Sequence, residues 1–490
     1  MKLMGKLAAG AAVGLVAIVG RVAVRTATYK PPAAADVSGV KLAAPIAFDA
    51  AAAARHLSEA IRFQTVSHQD LAEDQPAEWD RLHAWLIATY PAAHAAMTRE
   101  VVAGYTLVYT WKGSAPSLAP IVLMAHQDVV PVTPGTEGAW KHPPFDGVVA
   151  DGAVWGRGAI DDKGSLVTLF EGLEALARTG FKPRRTVMVV SGHDEEVRGV
   201  GATAAAQLMK SRGIMAEWVL DEGMAVIADN PITGGKVAII GIGEKGYATL
   251  KVVAKAPGGH SSTPPEETGV VTLSRALTAI AGHPFPASLD GPGGAMLEAL
   301  APQGGLPIRV LMANRWLFEP LIVDQVGATP AGAALLHTTI APTMLKGSPK
   351  ENVLPQDATA WINYRIAPGD TSAGVLAHTK KAVGDLPVEI SWVKKPEEPS
   401  PVSSTSSADW KAIAALAGDT AKAPVAPGLV LAGTDSRYLQ PVAKDVYRFQ
   451  PMTFDMEGTK MIHGTNEHLT LQNLETAVQF YARLVATAAS

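Results

Sequence analysis

Residues 156–165 read GRGAIDDKGS, which puts the carboxylates of Asp161 and Asp162 side by side between glycines and Lys163. Adjacent like charges disfavour each other's ionisation, and a divalent cation reverses that balance because it prefers ionised oxygen ligands. Three more stretches carry suitable donors: MAHQDVV with His126 and Asp128, GHDEEVRG with Glu195 and Glu196, and LDEG with Asp221. The chain has no cysteine, so thiolate sites and disulfides are excluded, and His, Asp and Glu are the strong ligands left. Each stretch alone also fits ordinary structure: caps for the aspartate pair, a strand end for His126, a solvated loop for the glutamates, a turn for Asp221. Dismissing a metal requires a coincidence at each of the four stretches, so a shared site is the stronger reading.

The elements that must position these residues are short apolar runs alternating with helical patterns, the mark of βα units and a mainly parallel sheet. Ile121 to Ala125 is apolar on both faces, as a central parallel strand should be, and ends in His126. A second buried run, Thr186 to Val190, precedes the glutamates, and a third, Trp218 to Leu220, precedes Asp221. Open α/β sheets bind ligands beyond the carboxyl ends of their strands, so the clusters should meet in one crevice. Leu166, Leu169, Leu173, Leu176 and Ala177 recur at helical spacing, which predicts a surface helix that starts at the aspartate pair and stops at Gly180.

At 490 residues, 48% hydrophobic and 18% charged, the chain is globular and too long for one core, so two domains are expected. A net charge of −4 without long like-charge runs argues against a nucleic-acid partner. Lys2 and Lys6 flank the start of an apolar run from Leu7 to Gly20. Residues 1–30 therefore read as a signal peptide or a membrane anchor, the two left open, and either implies an exported protein, periplasmic or extracellular. Residues 31–45, rich in Pro and Ala, read as a linker. Near Gly243 the pattern changes to the alternation of half-exposed strands in GYATLKVVAK and later in ATAWINYRI, which marks a second domain.

MAHQDVVPV, GRGAIDDKG, GHDEEVRG, LDEG, GGHSS and IHGTNEHL follow one another in the order seen in di-zinc amidohydrolases of the carboxypeptidase S and aminoacylase family. The chain resembles that family over most of its length. ENVLP, INYRIAPGD, AGTDSRY and MIHGTNEHL further resemble its branch containing carboxypeptidase S and the secreted N-acyl amino acid synthase/hydrolase. The resemblance implies an α/β catalytic domain, residues 46–242 and 397–490, with a mainly parallel sheet and helices on both faces. It implies an inserted α+β (ferredoxin-like) lid at 243–396, through which such chains often form homodimers.

It further implies two zinc ions per chain, bridged by Asp161, one completed by His126 and Asp221 and the other by Glu196 and His463. Asp162 would support its neighbour or cap the helix, and Asp128 would fix the tautomer of His126. Glu195 matches the general base, and His260 in GGHSS matches a histidine that stabilises the oxyanion, sometimes across a dimer. Asn352, Arg365, Gly433, Thr434 and Asp435 match substrate contacts, whereas His193 and Asp194 read as loop residues. The implied activity is reversible hydrolysis of an amide beside a free α-carboxylate, in an N-acyl amino acid or short peptide. The rival reading is an exported, non-catalytic binding protein for amino-acid conjugates, which would need ligands but no base such as Glu195. A phosphate-transferring enzyme with Asp161 as nucleophile fits worse, because it leaves His126, Glu196, Asp221 and His463 without a purpose.

Overall fold

The computed structural model of the chain describes residues 2–30, 37, 39–197 and 199–490; residues 31–36 and 38 of the expected linker lie outside the described residues. Four strands, Val187–Ser191, Ile121–Met124, Ala216–Asp221 and Ala443–Arg448, lie side by side and parallel at the centre of a ten-stranded sheet. Ile121–Met124 and Val187–Ser191 are buried at every position, as the uninterrupted apolar runs demand. Towards one edge, Thr98–Val102 and Thr106–Trp111 pair antiparallel. Towards the other, Val237–Glu244 meets Ala443–Arg448 antiparallel and takes Val425–Val430 as a parallel partner. The sheet is thus mixed, with its parallel strands gathered where the candidate ligands emerge.

Helices cover both faces, and helix Lys163–Arg178 is buried from Lys163 through Leu176 rather than lying on the surface as its periodicity suggested. Helices Ala50–Ile61, Pro91–Ala96 and Leu471–Ala488 pack over its outer side. A Cβ at Gly172 would lie 2.9 Å from the backbone nitrogen of Ala482, so glycine there permits the two helices to approach so closely. Residues 43–46 are held on the last helix as well: Ala43 N donates to Thr487 Oγ1 and Ile46 N to Gln479 Oε1, each at 3.0 Å. This end of the expected linker is therefore part of the packed body.

A second, four-stranded antiparallel sheet runs in the order Thr339–Lys346, Asp357–Ile366, Gly246–Lys255, Val388–Trp392. Alternating residues of Gly246–Lys255 are buried, so the period-2 pattern of the sequence becomes one face packed on helices Gly269–Ala281 and Ser372–Val383. In chain order this is βαββαβ, a ferredoxin-like arrangement. Helices Pro292–Leu300, Gly305–Ala313, Arg315–Gly327 and Pro330–Leu336 interrupt it, and their apolar side chains Met296, Leu297, Leu300, Met312 and Ile322 pack with Val237, Ile239 and Ala426 of the first sheet. The middle of the stretch expected as lid is thus built onto the large sheet. Among the described residues no helix is long and apolar enough to cross a membrane.

Candidate active site

His126 follows strand Ile121–Met124, Glu195 and Glu196 follow Val187–Ser191, and Ala216–Asp221 ends in Asp221 with Glu222 next. The loop before helix Lys163–Arg178 brings in Asp161, and His463 arrives from the far end of the chain with φ of 59°. His126 Nε2 lies 2.9 Å from Asp161 Oδ1 and 3.6 Å from Glu222 Oε1. His463 Nε2 lies 3.1 Å from the other oxygen of Asp161 and 3.0 Å from Glu196 Oε2. Asp161 therefore stands between two donor groups. Asp221 does not join them: its Oδ2 accepts the backbone N–H of Ser436 at 2.8 Å. Asp221, the last residue of the strand, turns to Ser436, and Glu222, just beyond the strand end, turns to His126.

The cluster suits cations. Burial pushes the carboxyl of Glu222 up to about 8, with Asp161 adding to the rise, and burial likewise raises Glu195 against the opposing pull of His126. Asp161 is held below the usual carboxylate range although burial opposes this, because hydrogen bonds from His126 and His463 prevail. Hydrogen bonds to Asp161 and Glu196 carry His463 up to about 10. So many buried carboxylates must hold protons or divalent cations. Ligand atoms of His126, Asp161 and Glu196 lie within 4.8 Å of one another, as do those of His126, Asp162 and Glu222, and Glu196 Oε1 is buried without a hydrogen-bond partner. The residues present fit metal ions.

Two supporting residues, Glu467 and Arg157, lie within quoted motifs but take their roles only from the fold. Glu467, fully buried, accepts Arg157 Nη1 at 2.7 Å and the backbone N–H groups of Gly158, Ile160 and Asp161 at 2.8–3.1 Å. Arg157 also donates to Gly464 O at 2.9 Å, which ties the Asp161 loop to the His463 loop. Asp162 accepts His126 N and Gln450 Nε2 and makes no cap bond to its helix, so it supports the site rather than capping. His126 Nδ1 lies 3.0 Å from Asp128 O and 3.3 Å from Asp128 Oδ1. The Asp128 carboxylate is engaged by Ser67 Oγ and by the backbone N–H groups of Glu195 and Glu196. Glu467 lies within the quoted IHGTNEHL motif, which was the one available signal for it.

A cleft of ≈ 580 Å³ is lined by Glu195, Glu196 and His463 together with Tyr247, Arg365 and Lys394. The Arg365 guanidinium lies 4.8 Å over the Tyr247 ring, and burial lowers its proton affinity. Gly433, Thr434 and Asp435 line the same cleft. Thr434 Oγ1 is already committed to Glu244 Oε1 at 2.6 Å, whereas both oxygens of Asp435 are buried without a partner. His260 and Asn352 do not line the cleft. They sit together at the short pairing of Gly259–His260 with Val353–Leu354, where His260 is exposed and bonded to Ser262 Oγ at 2.7 Å.

The profile of peptidase family M20/M25/M40 matches residues 122–487. Probable carboxypeptidase S-like 2 of Dictyostelium discoideum is 35% identical over 440 residues, 88% of this chain and 84% of that relative. The N-fatty-acyl-amino acid synthase/hydrolase PM20D1 of Homo sapiens is 37% identical over 398 residues, 79% of this chain and 78% of that relative. The M20 family metallo-carboxypeptidase Sso-CP2 from Sulfolobus solfataricus shares the fold with a TM-score of 0.63 at 16% identity, covering 88% of this chain and 98% of that one. Relatives with enzyme names decide against the non-catalytic binding protein. With the metal-binding geometry assembled and the match running from the His126 strand to the last helix, the chain belongs to peptidase family M20/M25/M40 and is a metal-dependent hydrolase.

Proposed function

We propose that the protein is a di-zinc hydrolase of amide bonds beside a free α-carboxylate, in N-acyl amino acids or short peptides. The observation that carries this is the cleft itself, which Glu195, Glu196 and His463 of the cluster line together with Arg365. The residues that would hold the ions are Asp161, which stands between both donor groups, with His126 and Glu222 for one ion and Glu196 and His463 for the other. Glu222 takes the part expected of Asp221, because Asp221 is engaged by Ser436 and Glu222 faces His126. When bound, the ions polarise the scissile carbonyl and acidify a water. Glu195 accepts the proton of that water at its carboxylate and returns it to the departing nitrogen.

Arg365 grips the substrate carboxylate through its planar fork, and Gly433–Asp435 shape the wall beside it. The names of the relatives, carboxypeptidase S and N-fatty-acyl-amino acid synthase/hydrolase, support this substrate class, and the latter supports condensation at high reactant levels. His260 and Asn352 act from a second copy docked through the smaller sheet, whose edge exposes Met344 and Leu345 beside Val270 and Val271 of the helix Gly269–Ala281. The cation-flanked apolar N-terminus supports export. A hydrolysis screen of metal-loaded protein on N-acyl amino acids, dipeptides and their carboxamides, read by mass spectrometry, tests this reading. Cleavage of carboxylate and carboxamide forms at equal rates would overturn it.

A further inference from the structure

We propose that helix Lys2–Ala27 is a retained membrane-surface anchor which, with the helical pair Gly305–Ala313 and Arg315–Gly327, seats the protein on an anionic phospholipid bilayer. The end of this helix is built into the fold. Arg309 donates from Nε to Thr26 O at 3.0 Å and from Nη2 to Ala27 O at 3.4 Å, which satisfies carbonyls that a helix terminus leaves without partners. Fully buried Asn314 donates to Thr26 Oγ1 at 3.1 Å, and Arg25 Nε donates to Ala313 O at 3.0 Å. Removing the helix as a signal segment would break these bonds, leave Asn314 Nδ2 with Val310 O at 2.9 Å, and uncover the apolar residues Leu306 and Val310 that now share a cavity with Val19, Val22 and Ala23. The contacts therefore argue that residues 22–27 belong to the mature chain.

Before this joint the same helix exposes Val13, Leu15, Val16, Ile18 and Val19, and the helical pair exposes Leu306, Trp316, Leu317 and Leu321. Val19, Val22, Ala23, Leu306 and Val310 line one apolar cavity of ≈ 560 Å³, so the two surfaces are continuous. The charge pattern selects a lipid. The helix carries Lys2, Lys6, Arg21 and Arg25 and no acidic residue, and the Arg21 guanidinium lies 4.5 Å over the Trp316 ring. On the neighbouring pair, Glu319 is engaged by Arg315, which leaves Asp324 at the far end. An indole beside cations at the end of an apolar run suits the boundary between acyl chains and anionic headgroups. A second copy of a cation-bearing helix would meet like charge instead. The uncharged run Leu7–Gly20 extends about 21 Å as a helix against a hydrocarbon core of ~30 Å, so it enters the bilayer without crossing it.

The test is flotation of the full chain with vesicles of phosphatidylcholine alone or doped with phosphatidylglycerol, together with intact mass of the protein recovered from cells. The proposal expects a mass that includes residues 2–27 and co-flotation with the anionic vesicles. Replacing Lys2 and Lys6 by Gln should lower partitioning roughly thirtyfold, the equivalent of about 1 kcal/mol per cation. Trp316→Ser with Leu321→Ser should lower flotation while leaving hydrolysis of a water-soluble dipeptide unchanged. If that pair unfolds the protein, Val16→Asp, at a site 72% exposed, tests the same face. A mature N-terminus beyond Ala27, flotation unaffected by Val16→Asp, or no vesicle binding alongside a dimer that these substitutions dissolve would each overturn the proposal.

Discussion

The backbone N–H of Asp161 donates to Glu467 Oε1 at 3.1 Å, which links the candidate bridging ligand to a buried carboxylate 306 residues away. The same carboxylate holds Gly158, Ile160 and Arg157, so it fixes the whole loop that presents Asp161. Glu467→Gln should lower metal affinity by roughly 10–100-fold, the usual effect of loosening a group that orients a ligand. Glu467→Ala strands buried Arg157 and should destabilise the fold by about 3–5 kcal/mol. Metal titration and thermal melting read the two effects. Wild-type affinity in the Gln variant would show that the loop holds Asp161 without Glu467.

Asp221 and Glu222 should behave differently although they are neighbours. Metal analysis is expected to find about two zinc ions per chain in the wild type and about one in Glu222→Ala, whereas Asp221→Asn, which keeps an acceptor for Ser436 N–H, should retain both. Chelation should abolish activity and zinc should restore it. Loss of an ion from Asp221→Asn with none lost from Glu222→Ala would reverse the assignment.

Glu195→Gln should leave the metal content intact and lower kcat by roughly 10²–10⁴-fold, since an amide cannot accept the proton of water. Turnover near the wild-type value in the fully loaded variant would place the base elsewhere.

Arg365→Lys should reduce kcat/KM by about 1–3 kcal/mol, because lysine offers a point charge in place of a two-bonded fork. The variant should also discriminate less between a substrate and its α-carboxamide. An unchanged ratio would make Arg365 a partner of Tyr247 only.

Alkaline pH should destabilise the fold. Burial raises Tyr109 and Tyr364 to about 12, above the value of 10.0 they take in the unfolded chain. Below pH 10 both states keep their protons and nothing is lost. Above it the unfolded chain ionises first, so each tyrosine should remove about 1 kcal/mol of stability by pH 11. Urea midpoints at pH 9 and 11 measure this, and Tyr109→Phe with Tyr364→Phe should flatten the difference.

The sequence by itself determined the features that local pattern encodes. Apolar runs of strand length announced Ile121–Met124 and Val187–Ser191, and their polar ends announced His126, Glu195 and Glu196. The alternation in Gly246–Lys255 announced a sheet buried on one face. What tertiary structure decided are matters of direction and distance. Whether Asp221 or Glu222 turns to His126 depends on how the chain leaves its strand at Asp221, which no local pattern records. The role of Glu467 depends on three N–H groups about 300 residues upstream that no linear spacing specifies. His260 and Asn352 match motifs, yet they sit at a separate two-stranded pairing that does not line the cleft. Helix Lys163–Arg178 has the periodicity of a surface helix but is enclosed, because the last helix of the chain returns to cover it and no local signal records that return.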